Sequence, residues 1–426
     1  MRRTIALTLA ALLCLGLAAC GKDIPPLRPN ETTASAATES ADAPAAKEIF
    51  NNGGRYVKYA GDTYYWEYNA ACLAPCVIWG ETQEVPGIRR SMIRLTAGGA
   101  REGLFIENGC GGIWVCDGRF YLTWLDDDYN PQIISTAMEP GDATGTAKDR
   151  RELGPGEIFA LDEARGLLIA SVGRLNGNHV EYGLCVINTK TSARTDLHIP
   201  STEPLLYDAA SGTLYYRDFS IEDWYEDEIK LCRVDVITGE VWDVASFEPG
   251  ALEGFEDADD FELDNARLEK ETLHMFMSGY SGTGRHLMGC AYLIIDLDSK
   301  ECRQREDSPE YMRFGVNRPF TLAESCVRYI CDESGRRQPV LSEVEQAGFG
   351  LPEGSIYREE DFASVRDVEY VDGALFFSIL RGPRNEAEDI GWRQAYDLES
   401  MAVYRKDVST GRIEELYSFD KNSLRG

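Results

Sequence analysis

The chain has 426 residues, of which 43 are Lys or Arg and 72 are Asp or Glu, so its formal net charge is −29 at pH 7. An acidic chain without a basic patch repels phosphate backbones, and this excludes a nucleic-acid partner. Hydrophobic residues make up 43% and aromatic residues 10% of the chain, which is enough for a large core and excludes disorder of the whole chain.

Residues 1–19 have the pattern of a bacterial export signal. Two arginines precede an apolar run over residues 5–19, and this run is shorter than the roughly 20 residues of a membrane-spanning helix. The run ends in Leu17-Ala18-Ala19-Cys20, which resembles the lipobox of bacterial lipoproteins. The resemblance implies cleavage before Cys20 and lipidation of its thiol, and acyl chains at this position give a stable membrane anchor. The predicted location is extracytoplasmic, lipid-anchored to the cell membrane, at the cell surface or facing the periplasm.

Residues 20–50 are predicted to be the lipidated cysteine followed by a flexible tether. This segment has few large apolar residues, contains Pro25-Pro26 and is rich in Thr, Ala and Ser over residues 32–38. A coil of about 30 residues has a root-mean-square reach of roughly 30 Å, and charges act over only roughly 8 Å in physiological salt. The tether is therefore expected to let the acidic domain stay clear of an anionic membrane.

From residue 51 onward the chain repeats a turn followed by a short aromatic or β-branched run. The turns recur at a mean interval of about fifty residues, which is close to the size of a propeller blade. The clear copies have their turn glycines at Gly61, Gly118, Gly166, Gly212 and Gly373, and fainter copies lie near residues 271 and 325.

A second pattern follows the first in several units. It is an alternating strand that ends in a polar turn, clearest as Asp-x-x-Thr-Gly from Asp235 and from Asp407, with looser copies at Asn188 and Asp296. Asp, Thr and Gly supply local hydrogen bonds and positive φ angles in hairpin turns. Each unit is therefore predicted to be a small antiparallel sheet.

Successive small sheets that bury their faces against one another predict an all-β protein, a β-propeller over residues 51–420 with residues 421–426 as a C-terminal tail. Seven blades are expected and six are the alternative, because the unit around Cys326 lacks the second pattern. A β-sandwich array would show strand groups of about 100 residues, and no such period is present.

The export signal, the tether, the opening Asn51-Asn52-Gly53-Gly54, the Tyr-Tyr strands after glycine and the Asp-x-x-Thr-Gly turns resemble bacterial lipoproteins that carry the domain of unknown function 5050. That family is similar to the YWTD-type propellers, although the YWTD tetrapeptide itself is absent from this chain. The resemblance covers most of residues 51–419. It implies a propeller and transfers no catalytic residue.

The ten cysteines after Cys20 include four couples close in sequence that are candidates for disulfides: Cys72 with Cys76, Cys110 with Cys116, Cys290 with Cys302, and Cys326 with Cys331. Two others, Cys185 and Cys232, align with Leu293 and Tyr404 at one repeat position. An apolar residue facing a neighbouring sheet explains all four, so Cys185 and Cys232 are predicted to be core residues.

No catalytic motif, cofactor motif or metal-ligand spacing is present in the sequence, so no catalytic residue, cofactor or metal is predicted. The acidic groups at residues 126–130 and 256–264 are interpreted as solvated loops. Long loops are expected at residues 126–155, 248–268, 331–361 and 381–397. Trp224, Tyr225 and Trp392 are possible ligand-binding aromatics, and the alternative is that they fill gaps between blades.

Three functions remain open at this point. The first is a lipid-anchored binding or scaffold protein that recognises a protein, peptide or glycan. The second is a propeller hydrolase or lyase acting on carbohydrate or peptide, which would be marked by a central pocket with two carboxylates or a histidine of shifted pKa. The third is a structural subunit of an envelope assembly complex. The missing motifs favour the first function over an enzyme.

Overall fold

A computed structural model describes residues 48–420, except 69–72, 79–80, 87–89, 108, 127–129, 177–178, 198, 200–201, 219–227, 282–285, 305–318, 323–325, 332–336, 352–360 and 384–398. Strands dominate the described residues, and all strand pairs are antiparallel. No helix in these ranges is long and apolar enough to cross a bilayer.

The first sheet has the strand order β1-β2-β3-β6-β7, and a hairpin of β4 and β5 is inserted between its third and fourth strands. The strands are β1 (Ile49–Phe50), β2 (Tyr56–Tyr59), β3 (Asp62–Tyr68), β4 (Leu73–Ile78), β5 (Glu81–Pro86), β6 (Arg90–Leu95) and β7 (Arg101–Glu107). Strand β1 begins two residues before the expected start of the propeller, because apolar Ile49 and Phe50 pair with β2.

The second to fifth sheets are four-stranded meanders in which each strand pairs with the next one along the chain. The second sheet comprises β8 (Gly109–Cys116), β9 (Arg119–Leu125), β10 (Pro131–Ala137) and β11 (Arg151–Pro155). The third comprises β12 (Glu157–Asp162), β13 (Leu167–Asn176), β14 (His179–Asn188) and β15 (Arg194–Asp196). The fourth comprises β16 (Thr202–Asp208), β17 (Thr213–Asp218), β18 (Ile229–Asp235) and β19 (Val241–Phe247). The fifth comprises β20 (Asp260–Glu269), β21 (Thr272–Ser281), β22 (His286–Asp296) and β23 (Cys302–Gln304), after a 3-10 helix over Pro249–Ala251.

The C-terminal part has a three-stranded sheet and a last four-stranded meander, separated by a short helix. The elements are β24 (Pro319–Leu322), β25 (Cys326–Cys331), β26 (Arg337–Pro339), α1 (Glu343–Gly348), β27 (Asp361–Val371), β28 (Ala374–Pro383), β29 (Ser400–Asp407) and β30 (Ile413–Asp420). The protein is therefore an all-β propeller, as the repeats predict. The blade number is seven if the three-stranded sheet counts as a blade and six if it does not. The count of seven stays a prediction.

Neighbouring sheets pack face to face, and this explains why the second strands are apolar on both sides. Along β9, Phe120 packs into a core shared with the first sheet, whereas Tyr121 packs into a core shared with the third sheet. Successive strand residues point to opposite faces, so a sheet between two neighbours buries both. Further cores join the third sheet to the fourth and the fourth to the fifth.

The last sheet packs against the first, which closes the ring without a shared strand. Tyr56 of β2 stacks on Phe376 of β28 with ring centroids 4.7 Å apart, and both side chains are buried. Lys58 forms an ion pair with Asp372 across the same contact. In the first sheet β1 is a two-residue addition, so β2 takes the place of the first strand of the other sheets. β2 contacts β8 and β27, and β16 contacts β20, so these strands lie nearest the axis of the ring.

The first repeated pattern is the hairpin between the first and second strand of a sheet, as predicted. Ala60-Gly61, Asp117-Gly118 and Asp372-Gly373 have φ angles between 42° and 91° at both positions. Two consecutive positive φ angles define the tight hairpin turn whose twist matches that of the strands.

The second pattern is the turn between the third and fourth strand, as predicted. The carboxylate Oδ1 of Asp235 accepts the backbone N–H groups of Ile237 and Thr238, both at 2.8 Å. The two turns of a sheet are also hydrogen-bonded to each other. The residue that follows the Asp or Asn of the second pattern donates its backbone N–H to a carbonyl group in the turn of the first pattern. These bonds run from Thr189 to Gly166 (2.9 Å), Val236 to Gly212 (3.1 Å), Leu297 to Glu271 (2.9 Å) and Val408 to Gly373 (3.0 Å).

The turns of both patterns lie at one end of the sheets, which we call the hairpin face. The connections from second to third strands and from sheet to sheet lie at the opposite end, which we call the loop face. All four of the expected long loops are partly wrong. Residues 131–137 and 151–155 form β10 and β11, and residues 260–268 belong to β20. Residues 337–339 and 343–348 form β26 and α1, and β28 extends to Pro383. Pro131 and the surrounding Asp and Gly residues resemble a loop in sequence, but Pro131 only starts an apolar strand.

The carboxylates in these turns are expected to make the stability of the fold depend on pH. Hydrogen bonds from Ser409 and Thr410 lower the pKa of Asp407 from 3.8 to about 2. A carboxyl with a lowered folded-state pKa stabilises the fold above its unfolded pKa, and this contribution is lost as the pH falls toward the folded pKa. Asp407→Ala is expected to lower Tm at pH 7, by an amount that shrinks below about pH 4. Asp407→Asn is the control, because Asn188 occupies the equivalent turn and accepts the same bonds. A pH-independent difference between Asp407→Ala and the natural protein would contradict this account.

Two of the candidate disulfides are wrong, because Cys116 and Cys302 are free thiols. Cys110 and Cys116 lie on the single strand β8, and six residues of extended chain separate their Cα atoms by about 20 Å, beyond the reach of a disulfide. Cys302 pairs in register with Ile295, five residues along β22 from Cys290. Cys326 and Cys331 are the two ends of β25, which separates their Cα atoms by about 16 Å. Cys72 lies outside the described residues.

The prediction that Cys185 and Cys232 are core residues is confirmed. Both lie in the third strand of their sheets and are buried, as is Leu293 at the same repeat position, while Tyr404 is half-buried. Burial raises the pKa of the Cys232 thiol to about 11, so its thiolate fraction near pH 8 is about a hundredfold below that of an exposed thiol. Maleimide labelling of Cys232 in the native protein is expected to be about a hundredfold slower than after unfolding, and Cys185, whose side chain is fully buried, is also expected to be protected. Fast labelling of native Cys185 or Cys232 would contradict this burial.

Candidate functional site

The segment before β2 lies across the inner edges of the first and second sheets. The N–H of Gly53 donates to the carbonyl of Ile113 at 2.7 Å, and the N–H of Ile113 donates to the carbonyl of Gly54 at 2.8 Å. Gly112 allows this approach, since a Cβ atom there would lie 1.8 Å from the Gly53 oxygen. We call residues Glu48–Arg55 the inner segment.

Asn51 connects the inner segment to the last sheet. Its Nδ2 donates to Glu369 Oε2 at 2.5 Å, and the backbone N–H groups of Arg55 and Tyr56 donate to the same carboxylate at 3.0 and 3.1 Å. Glu369 follows a bulge in β27 that turns its side chain toward these donors. Burial raises the pKa of Glu369 despite these hydrogen bonds.

Asn52 connects the inner segment to the second and third sheets. Its side-chain amide pairs with the backbone of Val115 as a strand residue would: Oδ1 accepts the Val115 N–H at 2.7 Å, and Nδ2 donates to the Val115 carbonyl at 2.9 Å. Nδ2 also donates to Glu163 Oε1 at 2.7 Å. The pKa of Glu163 is raised, first by loss of solvent and then by the charges of Asp117 and Asp162. Sequence reasoning identified the asparagine pair only as part of a resemblance and missed its role in joining sheets.

Two buried carboxylates accept hydrogen bonds from other side chains of the protein. Glu67, only 2% exposed, accepts Tyr65 OH at 2.8 Å and Arg101 Nε at 3.0 Å. Asp162 is likewise buried and accepts Tyr207 OH at 2.6 Å and Arg165 at 2.7 Å. Carboxylates saturated by hydrogen bonds hold the structure together and have no free oxygen for proton transfer to a substrate.

His274 is buried in the fifth sheet with both ring nitrogens near side-chain partners. Nδ1 lies 3.0 Å from Tyr292 OH, and Nε2 lies 2.9 Å from Thr272 Oγ1 and 3.5 Å from a carboxylate oxygen of Glu269. These contacts fix the His274 ring between Tyr292 and Thr272 inside the fifth sheet. The side chains of the other three histidines lie outside the described residues.

A small cleft lies at the contact between the first and last sheets, and we call it the seam cleft. The first sheet contributes Arg55, Tyr56, Trp66 and Arg90, and the last sheet contributes Ser378, Met401 and Val403. Its volume is about 30 Å³, room for one or two water molecules. The sequence did not single out Arg55 or Arg90, since they belong to no motif.

The predicted site residues fall outside the described part of the chain. This applies to the lipidation site Cys20 and to the possible binding aromatics Trp224, Tyr225 and Trp392. In chain order, the first two aromatics fall between β17 and β18, and Trp392 falls between β28 and β29. Both connections therefore start and end at the loop face.

No protein-family model matches the chain, and no curated protein sequence matches it. Among solved structures, a puromycin-hydrolysing peptidase of Mycobacterium tuberculosis is 11% identical with a TM-score of 0.41, over 87% of this chain and 53% of that one. Polysaccharide lyase Uly1 is 10% identical with a TM-score of 0.43, over 84% and 90%. The β-propeller domain of the trilobed protease from Pyrococcus furiosus is 10% identical with a TM-score of 0.36, over 71% and 92%. The chain thus spans about half the length of the peptidase, and no functional conclusion follows from similarity at this level.

Proposed function

We propose that the protein is a lipid-anchored, extracytoplasmic β-propeller that binds a protein, peptide or glycan with its loop face. The observation that carries this proposal is where the chain enters the ring. The N–H of Ala60 donates to the carbonyl of Glu48 at 3.1 Å, and Ala60 belongs to a turn of the hairpin face. A tether that ends at Cys20 therefore joins the ring at the hairpin face and leaves the loop face free.

The two faces differ in what they offer a ligand. On the hairpin face, turn side chains such as Asp235, Asp296 and Asp407 are already bonded to their own backbone. At the loop face the strand ends are joined by longer stretches of chain, such as residues 248–259 before β20, and β28 ends and β29 begins at this face. Binding residues concentrate on such loops, which a rigid scaffold positions.

The saturated carboxylates Glu67 and Asp162 support binding rather than catalysis. An acid or base must reach a substrate proton within hydrogen-bond distance, and these two groups already hold internal donors. Among the described residues, no three His, Cys, Asp or Glu side chains gather as metal ligands.

The anchor is tested by expressing the full chain with an alkyne fatty acid. The natural protein and Cys14→Ala are expected to be labelled and to fractionate with membranes, whereas Cys20→Ala is expected to lose the label and the membrane association. Cys14→Ala is the matched control, because the same substitution falls within the export signal. Labelling of Cys20→Ala equal to that of the natural protein would overturn the anchor.

Ligand binding is tested with the full-length protein in detergent on glycan and peptide arrays. For a ligand so found, Trp224→Ala and Trp392→Ala are expected to weaken binding by about tenfold or more. Trp242→Ala is the control, since Trp242 lies on the outer strand β19 and is 37% exposed. Cleavage of the bound ligand would replace this proposal with the hydrolase or lyase alternative. Equal weakening by the control would overturn the assignment to the loop face.

A further inference from the structure

The exposed apolar side chains of the protein gather at one end of the ring. Among the residues that the structure describes, six large hydrophobic side chains are exposed: Ile237, Val241, Trp242, Val344, Tyr370 and Val408. Ile237 and Val408 lie in turns of the hairpin face, and Val241 and Trp242 begin β19 directly after the first of these turns. A single exposed apolar residue needs no explanation, but a set confined to one face indicates a contact surface.

Tyr370 and Val344 belong to the same end. Tyr370 is the last residue but one of β27, next to a turn of the first pattern. Val344 is 82% exposed on helix α1, which follows β26 and is held to the end of β29 by Lys406. The Nζ atom of Lys406 donates to the carbonyl of Val340 at 3.0 Å and to a carboxylate oxygen of Glu345 at 2.8 Å. All six side chains therefore lie on the hairpin face.

The six side chains form two groups that only an extended surface can contact together. Three of them belong to the fourth sheet, and three belong to the last sheet and to the helix before it. Along the chain, the fifth sheet and the three-stranded sheet come between the two groups. A small ligand contacts neighbouring side chains, whereas a lipid surface contacts a whole face. This arrangement favours a planar occupant.

The chain enters the ring at this face. The N–H of Ala60, in a turn of the hairpin face, donates to the carbonyl of Glu48. The predicted tether between this point and Cys20 has a reach of roughly 30 Å. It would keep the hairpin face near the lipid at an effective concentration of about 1 mM, so a weak affinity is sufficient for contact.

Trp242 has the chemistry of a residue at a membrane interface. It is 37% exposed, and the guanidinium of Arg233 lies over its ring, 5.4 Å from the centroid. Tryptophan is enriched at the headgroup level of bilayers, where basic side chains also reach the headgroups. An anionic surface repels a chain of net charge −29, so a zwitterionic surface is favoured.

We propose that the hairpin face docks on a zwitterionic lipid surface through these six side chains, with Ile237 and Trp242 inserted at the headgroup level. The inference rests on the anchor in the proposed function, because the tether supplies the proximity. It deepens that function by giving the anchored ring an orientation in which the loop face points away from the lipid. The expected clearance of the domain then applies to anionic membranes.

The experiment reconstitutes the full-length lipidated protein into phosphatidylcholine vesicles, part of whose acyl chains carry bromine atoms. Bromine quenches the fluorescence of tryptophans that reach the bilayer. Trp242 is the exposed tryptophan among the described residues, and it lies on the hairpin face. Quenching is expected in the natural protein, and most of it is expected to be lost in Trp242→Phe, which keeps an apolar ring at the contact. Flotation of the vesicles measures the anchor separately.

Ile237→Ser is expected to lower the ratio of docked to undocked rings by about tenfold, because an inserted apolar side chain is lost. Ser409 occupies the same position in the turn of the last sheet, so this turn accommodates serine. Lys190→Ser is the matched control, since Lys190 is the exposed polar residue at this position in the third sheet. It is expected to leave the quenching unchanged. Vesicles of phosphatidylglycerol are expected to reduce the quenching.

Flotation without quenching of Trp242 would overturn the inference and would favour a protein as the occupant of the hairpin face. Equal loss of quenching in Ile237→Ser and Lys190→Ser would also overturn it. Stronger quenching on phosphatidylglycerol than on phosphatidylcholine would overturn the choice of lipid. Failure of the natural protein to float would overturn the anchor, and the inference with it. Ligand binding at the loop face is measured in detergent and does not depend on any of these outcomes.

Discussion

Phe376→Ala is expected to lower the free energy of unfolding by about 3 to 5 kcal/mol, the cost of removing a fully buried phenyl ring. Phe376 is 1% exposed and stacks on Tyr56 across the contact between the last and first sheets. Its core also contains Ile93 of the first sheet and Met401 of the last, so the cavity would open where no strand is shared. Urea unfolding measures the loss.

The control for Phe376→Ala is Tyr370→Ala, in the neighbouring strand β27. Tyr370 is 38% exposed, so its truncation is expected to change the free energy of unfolding by about 0.5 kcal/mol or less. Hydrogen exchange adds a local measurement, since the amides of Arg55 and Tyr56 that donate to Glu369 are expected to exchange faster in Phe376→Ala. Unchanged exchange at both amides would show that this aromatic contact does not hold the ring closed.

Gly112→Ala is expected to destabilise the protein by about 3 kcal/mol, the combined cost of overpacking and of two displaced backbone hydrogen bonds. The new methyl group would lie 1.8 Å from the carbonyl oxygen of Gly53, so the inner segment must move away from β8. The Ile113 amide, which donates to Gly54, is then expected to lose its protection from exchange.

Gly103→Ala is the matched control for this substitution. Gly103 lies in strand β7, and a Cβ atom there meets no atom within 4 Å. Alanine restricts the unfolded chain more than glycine does, so Gly103→Ala is expected to be neutral or to stabilise by up to about 1 kcal/mol. Equal destabilisation by both substitutions would mean that loss of glycine flexibility, rather than the contact with Gly53, is responsible.

The sequence predicts the sheets well because their signals are local. A turn such as Asp117-Gly118 followed by Phe120 and Tyr121 specifies a hairpin and a strand buried on both faces within a few residues. The same local reasoning assigned residues 131–137 and 151–155 to a loop, although Pro131 begins a strand and residues 151–155 form another. It also paired Cys110 with Cys116, because closeness along the chain becomes distance along an extended strand.

Contacts between distant parts of the chain were not predictable from the sequence. Asn51 and Asn52 stand side by side, yet one binds the last sheet and the other the second and third sheets. No spacing rule connects them to Glu369 or Val115. In the seam cleft, Arg55 and Arg90 have no motif, and only the ring brings them together with the last sheet.

The hydrogen bond between Asn51 and Glu369 joins residues 318 positions apart, and this has a consequence for the order of folding. During synthesis the first sheet is complete long before β28 exists, so the face with Tyr65 and Ile93 has no partner for most of that time. Contacts of such long sequence separation form slowly, and an uncovered apolar face favours association with other chains. Chains truncated before residue 374 are therefore expected to aggregate, and the ring acquires its stability only when the last strands are made.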